Sequence, residues 1–294
     1  MQNKRILGKL GLFVTAIIWG SGFTFTALSL KHYTTFQVMA LRFTIAAVIL
    51  LIIHFQKLKQ ISKQNLTRGI IIGTILFLAY IFQTYGLSMT TTSKNSFLTA
   101  VNVVIVPFIA WGVLRNGLSA NALLGAVISL IGIGFTSFSG GVGELAFNFG
   151  DVLSLICAFF FGAHIFYTEH YGNTMDTWIV MLVQMSTAAI LSCLALLVTG
   201  ETNMVFTAES LAPIFYIGIA STLISYGIQT ASQKHTTSGE SAVILSTEAF
   251  FGMFFAVLLL DEPVLSSMII GGILIFCGIL VVELKPLKNK VMIQ

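Results

Sequence analysis

The chain has 294 residues, of which 56% are hydrophobic and only 9% are charged. Soluble domains typically carry about 25% charged residues, so lipid must be the solvent for most of this chain. The formal net charge of +4 does not indicate nucleic-acid binding, because the Lys and Arg residues are scattered among short segments and form no continuous basic face. Composition therefore predicts an integral membrane protein and excludes a soluble domain.

The chain begins with three basic residues, Lys4, Arg5 and Lys9, and an apolar run follows from Leu10. This order is also that of a secretory signal peptide. The apolar run continues past Trp19, however, and a similar run recurs later in the chain. The segment is therefore interpreted as a retained first transmembrane helix.

Ten apolar segments follow one another along the chain, and a spanning helix needs about 20 such residues. They are Leu10–Leu30, Phe36–Phe55, Gly69–Leu87, Phe97–Leu114, Leu123–Phe138, Val152–Tyr167, Thr177–Thr199, Leu211–Gln229, Ala242–Leu260 and Ser266–Val282. The runs are continuous and not alternating, which favours helices over the strands of a membrane barrel. The predicted fold is an all-α polytopic membrane protein with ten transmembrane helices.

Lys and Arg residues are distributed unevenly between the two sides of this predicted bundle. One side receives twelve of them: Lys4, Arg5, Lys9, Lys57, Lys59, Lys63, Arg68, Arg115, Lys234, Lys285, Lys288 and Lys290. The other side receives three, Lys31, Arg42 and Lys94. Because basic residues concentrate in cytoplasmic loops, both termini are predicted to be cytoplasmic, in the inner (plasma) membrane.

The order of features indicates two copies of a five-helix unit, residues 1–140 and 146–285, followed by a cytoplasmic tail at 286–294. Aligning Thr91-Thr-Ser93 with Thr236-Thr-Ser238 sets a register of 145 residues. Because five is odd, the second copy must enter the membrane from the opposite side. The halves are therefore predicted to be inverted repeats, the arrangement on which alternating access is based.

Motifs in both halves resemble the EamA branch of the drug/metabolite transporter superfamily. They include Trp19-Gly-Ser-Gly-Phe23, Gly86-Leu-Ser-Met-Thr-Thr-Thr92, Phe97-Leu-Thr, Val106-Pro107, Gly150–Ala158, Tyr226-Gly-Ile-Gln229 and Ser246-Thr-Glu248 through Asp261-Glu262. The resemblance implies a bacterial carrier, with ten helices in two five-helix units, that exports small metabolites such as amino acids. Two positions depart from the family pattern: Ala249 stands where Pro is usual, and Gly117 where an acidic residue is frequent.

Glu248 is the first candidate for a functional residue, because a carboxylate near mid-bilayer costs about 2.5–3.5 kcal/mol and is functional by default. It is predicted to carry a proton or to bind an ammonium group of the substrate. The alternative is a protonated Glu that holds helices together by hydrogen bonding.

Eight further residues are predicted to bind substrate: Trp19, Tyr80, Gln83, Thr99, Asn102, His164, Tyr226 and Gln229. Tyr80 and Gln83, like Tyr226 and Gln229, pair an aromatic with an amide three residues later, which places both on one helical face. The alternatives are structural: Asn102 as an interhelical hydrogen-bonding residue, Trp19 as an interfacial anchor, and His164 bonded to a neighbouring carbonyl.

Other polar and small residues have separate interpretations. Asp151 is interpreted as a helix cap, and Asp261-Glu262 as gating the outer mouth or as solvated. Gly125, Ser129, Gly132, Gly271 and Gly278 are interpreted as packing residues.

These features favour a secondary transporter that exports small metabolites such as amino acids by alternating access, with a small-molecule substrate and the lipid bilayer as its partners. Its energy would come from a proton gradient through Glu248 or from the substrate gradient alone. A membrane-embedded enzyme acting on a lipid or small apolar substrate is the alternative, and a channel fits an inverted duplication less well. Gly140–Glu144 lacks the Gly-Lys-Ser/Thr of a phosphate-binding loop, and HExxH and GxSxG are absent, so no cofactor or metal is predicted. A homodimer is left open.

Overall fold

The computed structural model describes residues 2–115, 120–136 and 147–283. Gly117, the glycine-rich segment 140–144 and the tail 286–294 lie outside these ranges. The described residues form helices and no strand. The α-helices are α1 (Gln2–Leu30), α2 (Thr35–His54), α3 (Lys63–Met89), α4 (Thr92–Thr99), α5 (Asn102–Leu114), α6 (Ala120–Thr136), α7 (Phe149–Gly172), α8 (Thr177–Thr199), α9 (Ala208–Phe215), α10 (Ser225–Gln233), α11 (Ser238–Ser246), α12 (Glu248–Leu260) and α13 (Ser266–Glu283).

Two short segments have other helical geometry. A 3₁₀ turn at Phe55–Gln60 follows α2, and a π-helical segment at Tyr216–Ile224 joins α9 to α10. π-helical turns are rare and occur mostly at functional sites. The second segment lies beside the cavity described below.

Eight helical stretches are long and apolar enough to cross a membrane, with α4–α5, α9–α10 and α11–α12 each counted as one stretch. Two further apolar helices are shorter, with their apolar parts at Leu123–Phe135 and Ser266–Val281. The predicted all-helical, multi-pass membrane fold is confirmed. The number of ten spans stays a prediction, because it depends on these two shorter helices crossing as well.

Side chains and connections identify two ends of the bundle. At the first, called here the Leu30 end, a surface cavity brings together Leu30, Thr35 and Ser88 with Glu201 from the α8–α9 connection. The end of α1, the start of α2 and the end of α3 therefore lie at the same face.

At the opposite end, called here the Lys9 end, ion pairs join the first helix to the second half of the chain. Lys9 Nζ lies 3.1 Å from a Glu240 oxygen, and Arg5 pairs with the same carboxylate. Lys57 Nζ lies 2.9 Å from Asp176, which caps α8. Partial burial raises the pKa of Asp176, but Lys57 and the N–H groups at the start of α8 outweigh this and hold the pKa below its usual value.

α6 and α13 pack against each other through glycines. A Cβ atom at Gly132 would come within 2.7 Å of the Gly271 carbonyl oxygen, and one at Gly278 within 2.7 Å of the Gly125 carbonyl oxygen. Small residues allow such close backbone approach in membrane helices. The prediction that these glycines serve packing is confirmed.

Two stretches that the sequence predicted as single helices are interrupted in the middle. Between α4 and α5 the Val101 N–H donates to the Leu98 carbonyl, and between α11 and α12 the Thr247 N–H donates to the Ile244 carbonyl. These contacts span three residues instead of four, which tightens the helix at both places. The interruptions lie at corresponding positions of the two stretches.

The two interrupted stretches also begin and end alike. Thr91 and Thr237 are their N-caps, 146 residues apart (237 minus 91). Arg115 and Asp261 are their C-caps, again 146 apart (261 minus 115), and both adopt the left-handed conformation at φ 54°. The structural register is therefore one residue longer than the alignment at 145.

Candidate functional site

A narrow cavity lies in the middle of the bundle, among α1, α2, α3, α5, α7, α12 and the π-helical segment. Of the nine residues predicted for the site, six line this cavity: Trp19, Tyr80, Gln83, Asn102, His164 and Glu248. Other lining residues are Gly22, Phe23, Thr26, Arg42, Leu87, Phe161, Ile165 and Ser221. Thr99, Tyr226 and Gln229 do not line it.

The cavity extends from the middle of the bundle toward the Leu30 end. Its wall runs from Trp19 to Thr26 along α1, and from Tyr80 to Leu87 along α3. About 480 Å³ of space lies between the lining atoms, but only about 20 Å³ can hold the centre of a water molecule. This is room for about one water, so the conformation is nearly closed around the site.

A wider opening follows at the Leu30 end. About 600 Å³ of this opening can hold the centre of a water molecule, compared with about 20 Å³ in the narrow cavity. Its lining includes Tyr85, Ser88, Gln37 and Glu201. On α3 the lining residues of the narrow cavity, Gln83 among them, alternate with those of this opening. The narrow cavity and this opening thus lie next to each other along α3, and they share no lining residue.

Arg42 is a charged residue of the cavity wall that sequence reasoning missed. It was counted with the loop residues of one membrane face, but it lies in α2, well inside a predicted span, and is only 2% exposed. Its Nε and Nη2 atoms donate to the Thr222 hydroxyl at 3.1 and 3.0 Å, and its guanidinium lies 4.1 Å from the centre of the Tyr80 ring. A basic residue in the middle of an apolar run was the signal that could have identified it.

Glu248 supplies a carboxyl group to the same cavity. It is the first residue of α12, 4% exposed, and its counterpart at an offset of 146 is Asn102, the first residue of α5. Among the described residues no ion pair of 4.0 Å or less joins Glu248 to Arg42. Within the same residues, no three of His, Cys, Asp and Glu form a cluster that could hold a metal. The cavity thus contains one cation and one carboxyl group that do not neutralise each other directly.

The floor of the cavity is aromatic. The hydroxyl of Tyr226 donates to the hydroxyl of Tyr80 at 3.1 Å, and the Tyr226 ring lies 4.8 Å from that of Trp19. Tyr226 is fully buried and also packs against a third lining residue, His164, whose ring centre lies 5.5 Å from its own. Tyr80 and Tyr226 are 146 residues apart, so the hydrogen bond joins two corresponding positions.

Trp19 is a buried residue and not an interfacial anchor. Its indole Nε1 donates to the Ser221 carbonyl at 3.1 Å and to the Ser225 hydroxyl at 2.8 Å. Ser221 lies in the π-helical segment, and its carbonyl also accepts a hydrogen bond from the Ser225 hydroxyl at 2.5 Å. The π-helical segment therefore fixes the Trp19 ring at the cavity wall.

His164 and Asn102 line the cavity, and each has one polar atom without a hydrogen-bond partner among the described residues. His164 Nε2 lies 3.0 Å from the Gln184 side-chain oxygen, so its partner is an amide side chain and not a backbone carbonyl. His164 Nδ1 and Asn102 Oδ1 are buried and have no hydrogen-bond partner among the described residues. Both atoms are free to bond a ligand.

Thr99 and Gln229 are buried outside the cavity. Thr99 Oγ1 lies 3.3 Å from Cys157 Sγ. Gln229 is 0% exposed, and neither atom of its amide has a partner among the described residues.

The acidic residues near the Leu30 end hold helices together. Asp151 accepts hydrogen bonds from the Asn148 N–H at 2.9 Å and from Lys94 Nζ at 2.6 Å. Its predicted capping role is confirmed, whereas the ion pair was missed because Lys94 was counted as a loop charge. Glu262 accepts from the N–H groups of Thr92 and Ser93 at 2.6 and 3.0 Å, so it caps α4 and links it to the end of α12.

Comparisons with known proteins agree with this architecture. Residues 6–138 and 148–284 each match the sequence profile of the EamA-like transporter family. An uncharacterized transporter from Archaeoglobus fulgidus is 30% identical over 282 residues, which cover 96% of this chain and 87% of the relative. A second uncharacterized transporter from the same organism is 24% identical over 274 residues, covering 91% of this chain and 94% of the relative.

A solved crystal structure of a protein has the same fold, with a TM-score of 0.70 over 97% of both chains at 17% sequence identity. The family profile covers most of the described helices, including those that carry the cavity. The chain belongs to the EamA-like transporter family.

Proposed function

We propose that this membrane transporter is a secondary carrier that exports amino acids or similar zwitterionic metabolites by alternating access. The observation that carries the proposal is the presence of Arg42 and Glu248 in one buried cavity without an ion pair between them. A buried charge without a partner is costly, so both residues are expected to be retained for a ligand. A zwitterion offers one group to each of them.

The substrate carboxylate is assigned to Arg42. A guanidinium carries five N–H donors in a planar fork that matches a carboxylate. Thr222 accepts from two nitrogen atoms of the group, and the Tyr80 ring covers one face of it. These contacts fix the orientation of the fork before substrate binds, which lowers the entropic cost of binding.

The substrate ammonium group is assigned to Glu248, with the Asn102 amide beside it. Asn102 Oδ1 is a buried acceptor without a partner, and an ammonium group is a donor only. Glu248 can also carry a proton when the ammonium group is absent. Proton and substrate would then compete for one carboxylate, which is a simple basis for coupled exchange.

The packing of the helices supports the inverted repeat and alternating access. In this repeat α1 corresponds to α7, α3 to α10 and α5 to α12. The contact between α3 and α7 then corresponds to that between α10 and α1, and the contact between α5 and α7 to that between α12 and α1. α6 packs on α13 and α2 on α8, so these pairs map onto themselves. The two separate matches of one family profile support the same duplication. Two corresponding halves around one site can open it to either side.

The test is counterflow in liposomes with purified protein and a labelled panel. Each amino acid is compared with its decarboxylated amine and its deaminated acid. Saturable exchange of the zwitterions, with weaker exchange of both analogues, is the expected result. Equal exchange of amines and zwitterions would overturn the assignment to Arg42. Chemical conversion of a lipid or substrate without exchange would favour the membrane-enzyme alternative. Release of the substrate from expressing cells tests the direction.

A further inference from the structure

Gln229 is a buried amide without a hydrogen-bond partner in the part of the chain that the structure describes. It is 0% exposed, and neither Nε2 nor Oε1 has a partner among the described residues. Gln233, one turn further along the chain, donates from Nε2 to the Ile165 carbonyl at 3.1 Å, while its Oε1 also lacks a partner. Buried polar groups without partners are uncommon in native structures and call for an explanation. An amide that joined helices structurally would have a partner.

The corresponding residues in the first half of the chain line the cavity. At the offset of 146, Gln83 corresponds to Gln229 and Leu87 corresponds to Gln233. Both Gln83 and Leu87 face the cavity that extends toward the Leu30 end. The same side-chain amide thus occurs at both positions, exposed to the cavity in one half and buried without a partner in the other.

The position of Gln229 relative to the tyrosine pair explains the difference. Tyr80 and Tyr226 meet at the cavity floor. Gln83 lies one turn from Tyr80 toward the Leu30 end, and Gln229 lies one turn from Tyr226 toward the Lys9 end. Gln229 is closed off from the surface, and beyond it toward the Lys9 end Lys234 Nζ donates to the Met175 carbonyl at 2.6 Å.

We infer that Gln229 is a substrate-contacting residue of a second conformation, in which a pathway from the Lys9 end opens and Gln229 takes the position that Gln83 has here. Gln83 is buried in that conformation, and Gln233 lines the new pathway as Leu87 lines the present one. The inference rests on the proposed alternating-access function and adds to it the residues that exchange. The unbonded amide disfavours the present conformation and becomes bonded, to substrate or water, in the other.

Cysteine accessibility tests the exchange in a chain with Cys193→Ala and Cys277→Ala, in which the buried Cys157 is retained. Counterflow of this background is measured first. Gln83→Cys and Gln229→Cys are then treated with a membrane-impermeant methanethiosulfonate reagent from each side of oriented vesicles. Thr230→Cys is the matched control, because Thr230 is next to Gln229, is equally buried and faces Met181 on α8.

The expected result is modification of Gln83→Cys only from the Leu30 side and of Gln229→Cys only from the Lys9 side, with Thr230→Cys unmodified. In the double variant, a bulky group attached at one position should abolish modification at the other. An unmodified Gln229→Cys in an exchanging background would overturn the inference and leave the transport function standing. Modification of Thr230→Cys as fast as Gln229→Cys would also overturn it. Modification in the expected pattern without exchange of any substrate would support the opening and count against the transport function.

A second measurement does not depend on the folding of Gln229→Cys. Gln229→Leu removes the unbonded amide at similar size, so the present conformation gains population. Modification of Gln83→Cys from the Leu30 side should then be faster in the Gln229→Leu background than with native Gln229. An unchanged rate would overturn the inference.

Discussion

Arg42→Gln isolates the contribution of the buried guanidinium to substrate binding. Glutamine keeps an amide that can still contact the Thr222 hydroxyl but removes the charge and the planar fork. The guanidinium is 2% exposed and lies 4.1 Å from the Tyr80 ring centre, so water cannot readily replace it. We expect the variant to lose affinity for the carboxylate of the substrate and to retain its contact with the ammonium group.

The magnitude follows from the kind of hydrogen bond that is lost. A hydrogen bond to a charged group contributes about 1.5–3 kcal/mol. One such bond corresponds to a rise of about 10- to 150-fold in the half-saturating concentration. Arg42→Lys keeps the charge but loses the fork and most of the contact with Tyr80, so its half-saturating concentration should rise less than that of Arg42→Gln.

The assay is counterflow in liposomes, with an amino acid and its decarboxylated amine measured side by side. Arg42→Gln should raise the half-saturating concentration for the amino acid and leave that for the amine nearly unchanged. Arg68→Gln is a matched control, because Arg68 also donates to a threonine, Thr174, and also lies over a tyrosine ring, at 5.3 Å, but outside the cavity. Equal losses for both ligands, or the same loss in Arg68→Gln, would refute the assignment of the carboxylate to Arg42.

Three further predictions concern charged residues. Glu248→Gln should abolish the pH dependence of exchange while expression is preserved, because the amide cannot carry a proton; a pH profile like that of the native protein would contradict the role as proton carrier. Lys94→Met should lower the free energy of unfolding by about 3–5 kcal/mol, because Asp151 is left as a buried charge without its ion-pair partner. Combining Lys94→Met with Asp151→Leu should recover most of this lost stability, as measured by thermal unfolding in detergent. The pKa of Asp176 is lower in the folded protein than in the unfolded chain, so its ion pair with Lys57 stabilises the fold above the unfolded pKa and is lost as pH falls through the folded one. Asp176→Asn should therefore lower the melting temperature at pH 7, and the difference from the native protein should shrink as the pH falls below 3.8.

The helical fold was predictable because continuous apolar runs have only one way to satisfy their backbone in lipid. The cavity was partly predictable because side-chain amides such as Gln83 and Asn102 are costly in lipid and concentrate where ligands bind. The interruption before Glu248 was not, because neither Gly nor Pro stands at Ser246 or Thr247 to mark it. Which amide faces the cavity was not predictable either. Gln83 and Gln229 have similar sequence surroundings, and only the conformation of the bundle distinguishes them.

The charges of the site do not follow the repeat, and this has a consequence for transport. At the offset of 146, Glu248 corresponds to Asn102, and α8, the counterpart of α2, contains no Lys or Arg that could correspond to Arg42. If both halves carried the same charges, a substrate would have to reverse its orientation each time the halves exchanged conformations. With one guanidinium and one carboxyl group, the proposed substrate would keep both partners through the exchange, and only the neutral amides beside it would change. Under the proposed function, duplication supplies the two openings, and the lack of repeat symmetry at Arg42 and Glu248 would give the zwitterion a single bound orientation.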